Sequence, residues 1–160
     1  MDNVRERRTA RKHAFMFVFV LVTTLVVAGA AFAAVKQCNG GTCRGTSGDD
    51  KIYGSVRNEI VFGEQGDDRL YGRGGEDLLK GDPGRDTVYG QEGPDRVKGG
   101  TGRDMVYGGP GDDLVRGGTH DQTNDGVRDI LDCGPGVDTV YYTPGTDVLR
   151  DCEVRNPPEQ

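Results

Sequence analysis

The segment GDPGRDTVYG, residues 81–90, is too polar for a core strand and too regular for a casual loop. Its first six residues are built from Gly, Pro, Arg and Asp, a composition that sets tight turns. Thr87, Val88 and Tyr89 favour strands. The same plan returns nine residues later and extends in both directions. Glycine stands at 45, 54, 63, 72, 81, 90, 99, 108 and 117, a strict spacing of nine. The fourth place of each unit is Gly48, Arg57, Gly66, Gly75, Gly84, Gly93, Gly102 and Gly111. The sixth is Asp50, Glu59, Asp68, Asp77, Asp86, Asp95, Asp104 and Asp113, and the eighth is always Ile, Leu or Val.

Each nonapeptide reads as a six-residue turn followed by a three-residue strand. Side chains alternate along a strand, so only the eighth residue faces inward. Two units then make one flattened coil of 18 residues, with a strand on each side. Coils stack at the spacing of hydrogen-bonded strands, about 4.7–4.9 Å. The expected fold is an all-β parallel solenoid of such coils. A flexible Gly/Asp-rich linker would show no periodic aliphatic residue, and all eight inward places are aliphatic.

The pattern resembles the RTX (hemolysin-type) calcium-binding nonapeptide repeat, G-G-x-G-x-D-x-U-x. The resemblance covers eight units, residues 45–116. It implies a right-handed parallel β-roll stabilised by Ca²⁺, with turn glycines Gly45, Gly63, Gly72, Gly81, Gly90, Gly99 and Gly108 at the first place. One departure is systematic. The second place is glycine only at Gly100 and Gly109; elsewhere it is Thr46, Ser55, Glu64, Arg73, Asp82 or Gln91.

Residues 18 apart lie above one another, so Asp50, Asp68, Asp86 and Asp104 form one column. Glu59, Asp77, Asp95 and Asp113 form a second on the opposite edge. Ca²⁺–oxygen distances are about 2.3–2.6 Å, so an ion between two stacked carboxylates spans about one coil. Turn carbonyls complete the six to eight oxygens that calcium takes. The expected sites are Asp50/Asp68, Asp68/Asp86, Asp86/Asp104, Asp77/Asp95 and Asp95/Asp113. At Glu59/Asp77, Arg57 replaces the turn glycine and brings a cation close. Without the ion, stacked like charges repel, so folding is expected to depend on the metal.

After Gly117 the register breaks. Asp129, Asp138 and Asp147 are again nine apart, each followed two residues later by Leu131, Val140 or Leu149. Asp113 to Asp129 is sixteen, two short of two units, so GGTHDQT (117–123) reads as a shortened connection. Residues 124–153 read as degenerate coil halves and a C-terminal cap, and 154–160 as a tail. Asp129 and Asp147 are candidates for a further shared ion, although Val127 replaces a turn glycine. DQTNDGVRDILD (121–132) also approximates an EF-hand loop, without evident flanking helices. His120 has no histidine partner outside the first 33 residues for a zinc or acid–base site.

Residues 1–33 differ from the rest. Arg5, Arg7, Arg8, Arg11 and Lys12 precede an apolar run closing on Ala31-Phe32-Ala33, the plan of a cleaved secretory signal peptide. An uncleaved membrane anchor is the alternative, because the run approaches the ~17–20 residues that span a bilayer. Residues 34–160 carry 15 basic and 24 acidic side chains, a net charge of −9. That balance suits cations and disfavours nucleic acid and anionic lipid. Export would place four cysteines where disulfides persist. Cys133 and Cys152 are one coil plus one residue apart, and Cys38 and Cys43 close a small loop within a cap at 34–44. CGPGVDTV…DCE resembles the ending of short exported actinobacterial RTX-repeat proteins.

The seventh and ninth residues point outward. One sheet then carries Tyr53, Tyr71, Tyr89 and Tyr107 in single file, either a strip for an extracellular glycan or protein partner or a stack that steadies its own strands. No Ser/His/Asp set, HExxH, P-loop or catalytic Cys/His pair is present, so no enzyme is expected. The sequence predicts a secreted calcium-binding roll, with no membrane contact after signal cleavage.

Overall fold

The structure, a computed structural model, describes residues 33–118 and 126–156. Residues 1–32 of the signal peptide expected at 1–33, His120 and the first five residues of the EF-hand-like loop lie outside the described residues. Among the described residues, fourteen strands form two parallel sheets of seven. The first sheet runs β1 (Val35–Gln37), β3 (Lys51–Tyr53), β5 (Arg69–Gly74), β7 (Thr87–Glu92), β9 (Met105–Tyr107), β11 (Ile130–Asp132) and β13 (Val148–Arg150). The second runs β2 (Gly41–Arg44), β4 (Glu59–Phe62), β6 (Leu78–Pro83), β8 (Arg96–Thr101), β10 (Leu114–Arg116), β12 (Thr139–Tyr141) and β14 (Val154–Asn156). Consecutive strands alternate between the sheets, so the chain winds as a solenoid. Among the described residues there is no helix, and none long and apolar enough to cross a membrane.

The register is the one the nonapeptide dictates. Ile52 pairs with Leu70, Leu70 with Val88 and Val88 with Val106, while Val61 pairs with Leu79 and Leu79 with Val97. All eight eighth-place side chains are buried, joined by Leu131 and Val140. The core is therefore two facing files of one aliphatic per coil half, too thin to hold the turns by apolar contact alone. Backbone bonding compensates at mid-roll. There β5 to β8 run six residues each, and pairing continues into the turns as Arg73↔Gln91 and Asp82↔Gly100.

The solenoid is longer than its eight clean repeats. Strands β1 and β2 add a coil before them, within the segment expected only to cap. Strand β14 pairs with β12 inside the expected tail. Thr139 pairs with Val154, fifteen residues on, so the last coil is three residues short. The break after Gly117 is the opposite of a shortened connection. Met105 pairs with Ile130 and Leu114 with Thr139, each 25 residues apart, so one turn carries seven extra residues. Counting sixteen from Asp113 to Asp129 hid this, because nine plus seven resembles two units less two.

Two disulfides staple the ends. Cys38–Cys43 ties the β1–β2 coil, with a Cα separation of 6.2 Å. Cys133–Cys152 joins consecutive coils at the other end, at 5.0 Å.

Candidate calcium columns

The sixth-place carboxylates stand just ahead of each strand, where the turn re-enters the sheet. Asp50, Asp68, Asp86 and Asp104 head β3, β5, β7 and β9; Glu59, Asp77, Asp95 and Asp113 lead into the strands of the second sheet. All eight are buried, an arrangement that water-exposed aspartates of a linker would not show. Each N–H donates to the carboxylate one coil further on. Asp50 donates to Asp68 at 2.7 Å, Asp68 to Asp86 at 2.8 Å and Asp86 to Asp104 at 2.9 Å. On the other edge Glu59 donates to Asp77, Asp77 to Asp95 and Asp95 to Asp113. The columns continue past the inserted turn, where Asp104 donates to Asp129, Asp113 to Asp138 and Asp129 to Asp147. Asp129 thus joins the first column. Asp132, the closing residue of the EF-hand-like pattern, lies on β11 instead.

One oxygen of each carboxylate is thereby engaged, and the second differs along the roll. Oδ2 of Asp68, Asp77, Asp86, Asp95, Asp113 and Asp138 is buried with no hydrogen-bond partner. A buried, unpaired carboxylate oxygen is strongly unfavourable unless a proton or a cation meets it. The surroundings are oxygen-rich. A Cβ on Gly72 would lie 2.5 Å from both Asp77 Oδ2 and the Gly90 carbonyl oxygen. One on Gly108 would meet Asp113 Oδ2 and the Cys133 carbonyl at the same distance. The first-place glycine leaves open a space between a carboxylate and a carbonyl of the next coil. Among the described residues no three His, Cys, Asp or Glu side chains converge. Each interval offers two carboxylates, so a bound ion would draw its remaining ligands from backbone carbonyls, as a hard cation accepts.

Electrostatics follow the burial. Asp86, at mid-column, is pushed up to about 8 by burial, opposed by its backbone hydrogen bond and reinforced by Asp104 and Asp68. Asp95 rises to about 7 by burial, with Asp77 and Asp113 adding to it. Asp68, Asp77 and Asp113 rise to about 6, again chiefly through burial. Asp138 shifts upward for the same reason.

The first coil of clean repeats, β3–β4, is built differently. Asp50 accepts from the Thr46 backbone N–H, the Thr46 hydroxyl and the Ala34 N–H, so both its oxygens are satisfied. Glu59 likewise accepts from the Ser55 N–H, the Ser55 hydroxyl and the Gly40 N–H. Asp147, at the far end of the first column, accepts from the Thr143 N–H at 2.7 Å. These turns close on themselves through a second-place Thr or Ser. In the interior turns the second place is left-handed, at Glu64, Arg73, Asp82, Gln91, Gly100 and Gly109. Thr46, Ser55 and Thr143 are not among the positive-φ residues. The non-glycine second places thus keep the repeat's turn geometry, at the expense of strain.

Sequence reasoning passed over a second set of carboxylates and amides. At the fifth place, Asp49 accepts from the Asp67 N–H, Asp67 from Arg85, Asn58 from Glu76 and Asp112 from Val137. These bonds run opposite to the sixth-place series and clamp successive coils. Asx side chains at the fifth place, three of them immediately before a sixth-place Asp, were their visible signal.

The tyrosines stack with ring centroids 4.8–5.0 Å apart and planes within 15° of parallel. The rings cover one another's faces, so edges and hydroxyls, rather than a flat aromatic strip, meet solvent. The file ends at Asp132, which pairs with Tyr107.

The model of the RTX calcium-binding nonapeptide repeat (4 copies) matches residues 44–56, 53–88 and 89–119. Comparison with curated proteins and with solved structures gives no match. Spacing, stacked register and buried carboxylates agree with that match to the RTX calcium-binding nonapeptide repeat over residues 44–119.

Proposed function

We propose that this chain is a non-catalytic extracellular module whose roll is ordered by calcium held between stacked turns. The unpaired buried Oδ2 atoms carry the reading, because interior turns place negative oxygens where only a proton or a cation relieves them. The ligand set comprises Asp68, Asp86 and Asp104 on one edge and Asp77, Asp95, Asp113 and Asp138 on the other. Turn carbonyls of neighbouring coils supply the remaining oxygens. Asp50, Glu59 and Asp147 end the columns as hydrogen-bonded caps, and Asp129 bridges the interior to that end.

Export fits the same chemistry. Both disulfides need an oxidising compartment, and extracellular calcium modules work at about 10⁻⁴–10⁻³ M. The basic and apolar leader at 1–33 would direct that export. In this role the tyrosine stack supports its own sheet.

Calorimetric titration of the protein with Ca²⁺, alongside circular dichroism with and without chelator, tests the proposal. The expected result is several ions bound and a strand signal that collapses on chelation. Fewer than two ions, or an unchanged strand signal, would overturn it.

A further inference from the structure

Among the described residues, three of the four ends of the carboxylate columns are closed by hydrogen bonds. Asp50 and Glu59 accept from their own turns and from the Ala34 and Gly40 N–H groups, and Asp147 accepts from the Thr143 N–H. The fourth end is open. Asp138 ends the second column with one oxygen held by the Asp113 N–H, while its Oδ2 is buried and has no hydrogen-bond partner. The residue is 0% exposed, so bulk water does not satisfy that oxygen.

The next coil carries a carboxylate at the same place. Thr139 pairs with Val154, so Glu153 stands immediately before β14 as Asp138 stands immediately before β12. Counting by nine conceals it, because Glu153 lies fifteen residues after Asp138 and outside any clean unit. Electrostatics agree with the register. After burial, Glu153 is the charge that most raises Asp138, ahead of Asp112, which is the rank Asp138 holds toward Asp113. A covalent tie fixes the two coils together. Cys133 opens the turn that Asp138 ends, and its disulfide partner Cys152 adjoins Glu153. Asp151, the other carboxylate of this end, acts on Asp132 instead.

Resting on the calcium reading above, we infer that Asp138 and Glu153 form a terminal calcium site that fastens β14, the last strand, to the roll. A second carboxylate set beside a buried, unpaired one is unfavourable unless a cation meets both. Cys133 stands where the interior turns have glycine, and its side chain takes up room beside the Asp138 carboxylate. Glutamate has a longer arm than aspartate and meets an ion further out, and Glu153 is accordingly exposed. Turn carbonyls and water complete the six to eight oxygens that calcium takes. With β14 fastened, the edge of β12 stays covered and closed to pairing with another chain.

The test is calorimetric Ca²⁺ titration of the full chain beside Glu153→Gln and Asp151→Asn, with circular dichroism on the same samples. Each substitution removes a single exposed negative charge and leaves the core untouched. Glu153→Gln should bind one ion fewer than the parent, and Asp151→Asn should bind the parent's number. With calcium at about ten times the site's Kd, the amides of β14 should exchange about tenfold faster in Glu153→Gln than in the parent. If the parent binds calcium and orders but Glu153→Gln keeps the full count, the inference fails and the calcium reading stands. Equal loss of an ion in Asp151→Asn, or unchanged exchange at β14 in Glu153→Gln, would overturn it in the same way. If the parent binds no calcium, both readings fall together.

Discussion

The first coil and the coils at mid-roll obey the same nine-residue plan and solve the same electrostatic problem in two ways. At Asp50 and Glu59 the turn folds back so that its own amide and hydroxyl groups satisfy the carboxylate. At Asp68, Asp77, Asp86, Asp95 and Asp113 the turn swings its second residue into the left-handed region and leaves one oxygen unmet. A closed turn is complete as it stands; an open turn is complete only with a cation or a proton. Open turns therefore make stability conditional on the surroundings, while closed turns fix where the conditional stack starts and ends.

The sharpest way to break this contrast is to remove calcium. Chelation is expected to abolish most strand circular dichroism, with amide protection lost first across residues 63–113. Protection of the disulfide-tied ends should persist longest, because Cys38–Cys43 and Cys133–Cys152 hold them covalently. Uniform protection throughout in chelator would mean that the open turns do not need an ion.

Acid should rescue part of what chelation removes. The interior carboxylates have pKa values raised from near 4 to about 6 at Asp68, Asp77 and Asp113, about 7 at Asp95 and about 8 at Asp86. Between those values and the unfolded value the folded state binds more protons than the unfolded one. Stability of the metal-free roll is then greatest below about pH 4 and declines as pH rises toward 8. Calcium requires the deprotonated form, so its presence reverses the slope. Thermal unfolding in chelator at pH 4.5 and pH 8 reads the sign, and higher stability at pH 8 would contradict it.

Single substitutions divide the two turn types. Asp86→Asn should reduce the calcium stoichiometry and weaken the remaining sites next to it. Asp50→Asn should leave stoichiometry nearly unchanged. It should instead destabilise the calcium-loaded protein by about 1.5–3 kcal/mol, the usual worth of hydrogen bonds to a charged acceptor. Titration and denaturation of both variants give a crossed result if the turns differ as described; parallel losses would erase the distinction.

Much of this was legible in the residues. The period of nine fixed the coil, and the aliphatic eighth place fixed the core, because one inward residue per strand leaves no other choice. Stacking of Asp68 on Asp86 and of Asp77 on Asp95 followed from the same arithmetic. The inserted turn was misread because counting residues cannot tell a long turn from a lost half-coil; only the strand pairing of Leu114 with Thr139 decides. Strands β1, β2 and β14 lack the full nonapeptide, so nothing in composition marked them as coils. The closed turns had a signal in Thr46, Ser55 and Thr143. It became meaningful only beside backbone angles that the chain chemistry permits but does not dictate.

The finest probe of the contrast is one substitution made at the same repeat place in both turn types. Gln91 sits at φ 78° in an open turn, and Gln91→Gly should stabilise the calcium-loaded protein by about 1 kcal/mol through relief of left-handed strain. Thr46 sits in a closed turn, and Thr46→Gly removes the hydroxyl that caps Asp50 while loosening the unfolded chain. It should destabilise by about 0.5–1.5 kcal/mol, the usual net worth of one intramolecular hydrogen bond. A shift of 1 kcal/mol moves the melting temperature by about 4–8 °C in a domain of 60–100 residues and less in a longer one. Differential scanning calorimetry in excess calcium resolves shifts of that size. Glycine is the family's own residue at this place, so a family-wide rule predicts gains at both positions. The turn geometry predicts a gain at Gln91 and a loss at Thr46, and equal signs would show that the first coil is an ordinary repeat after all.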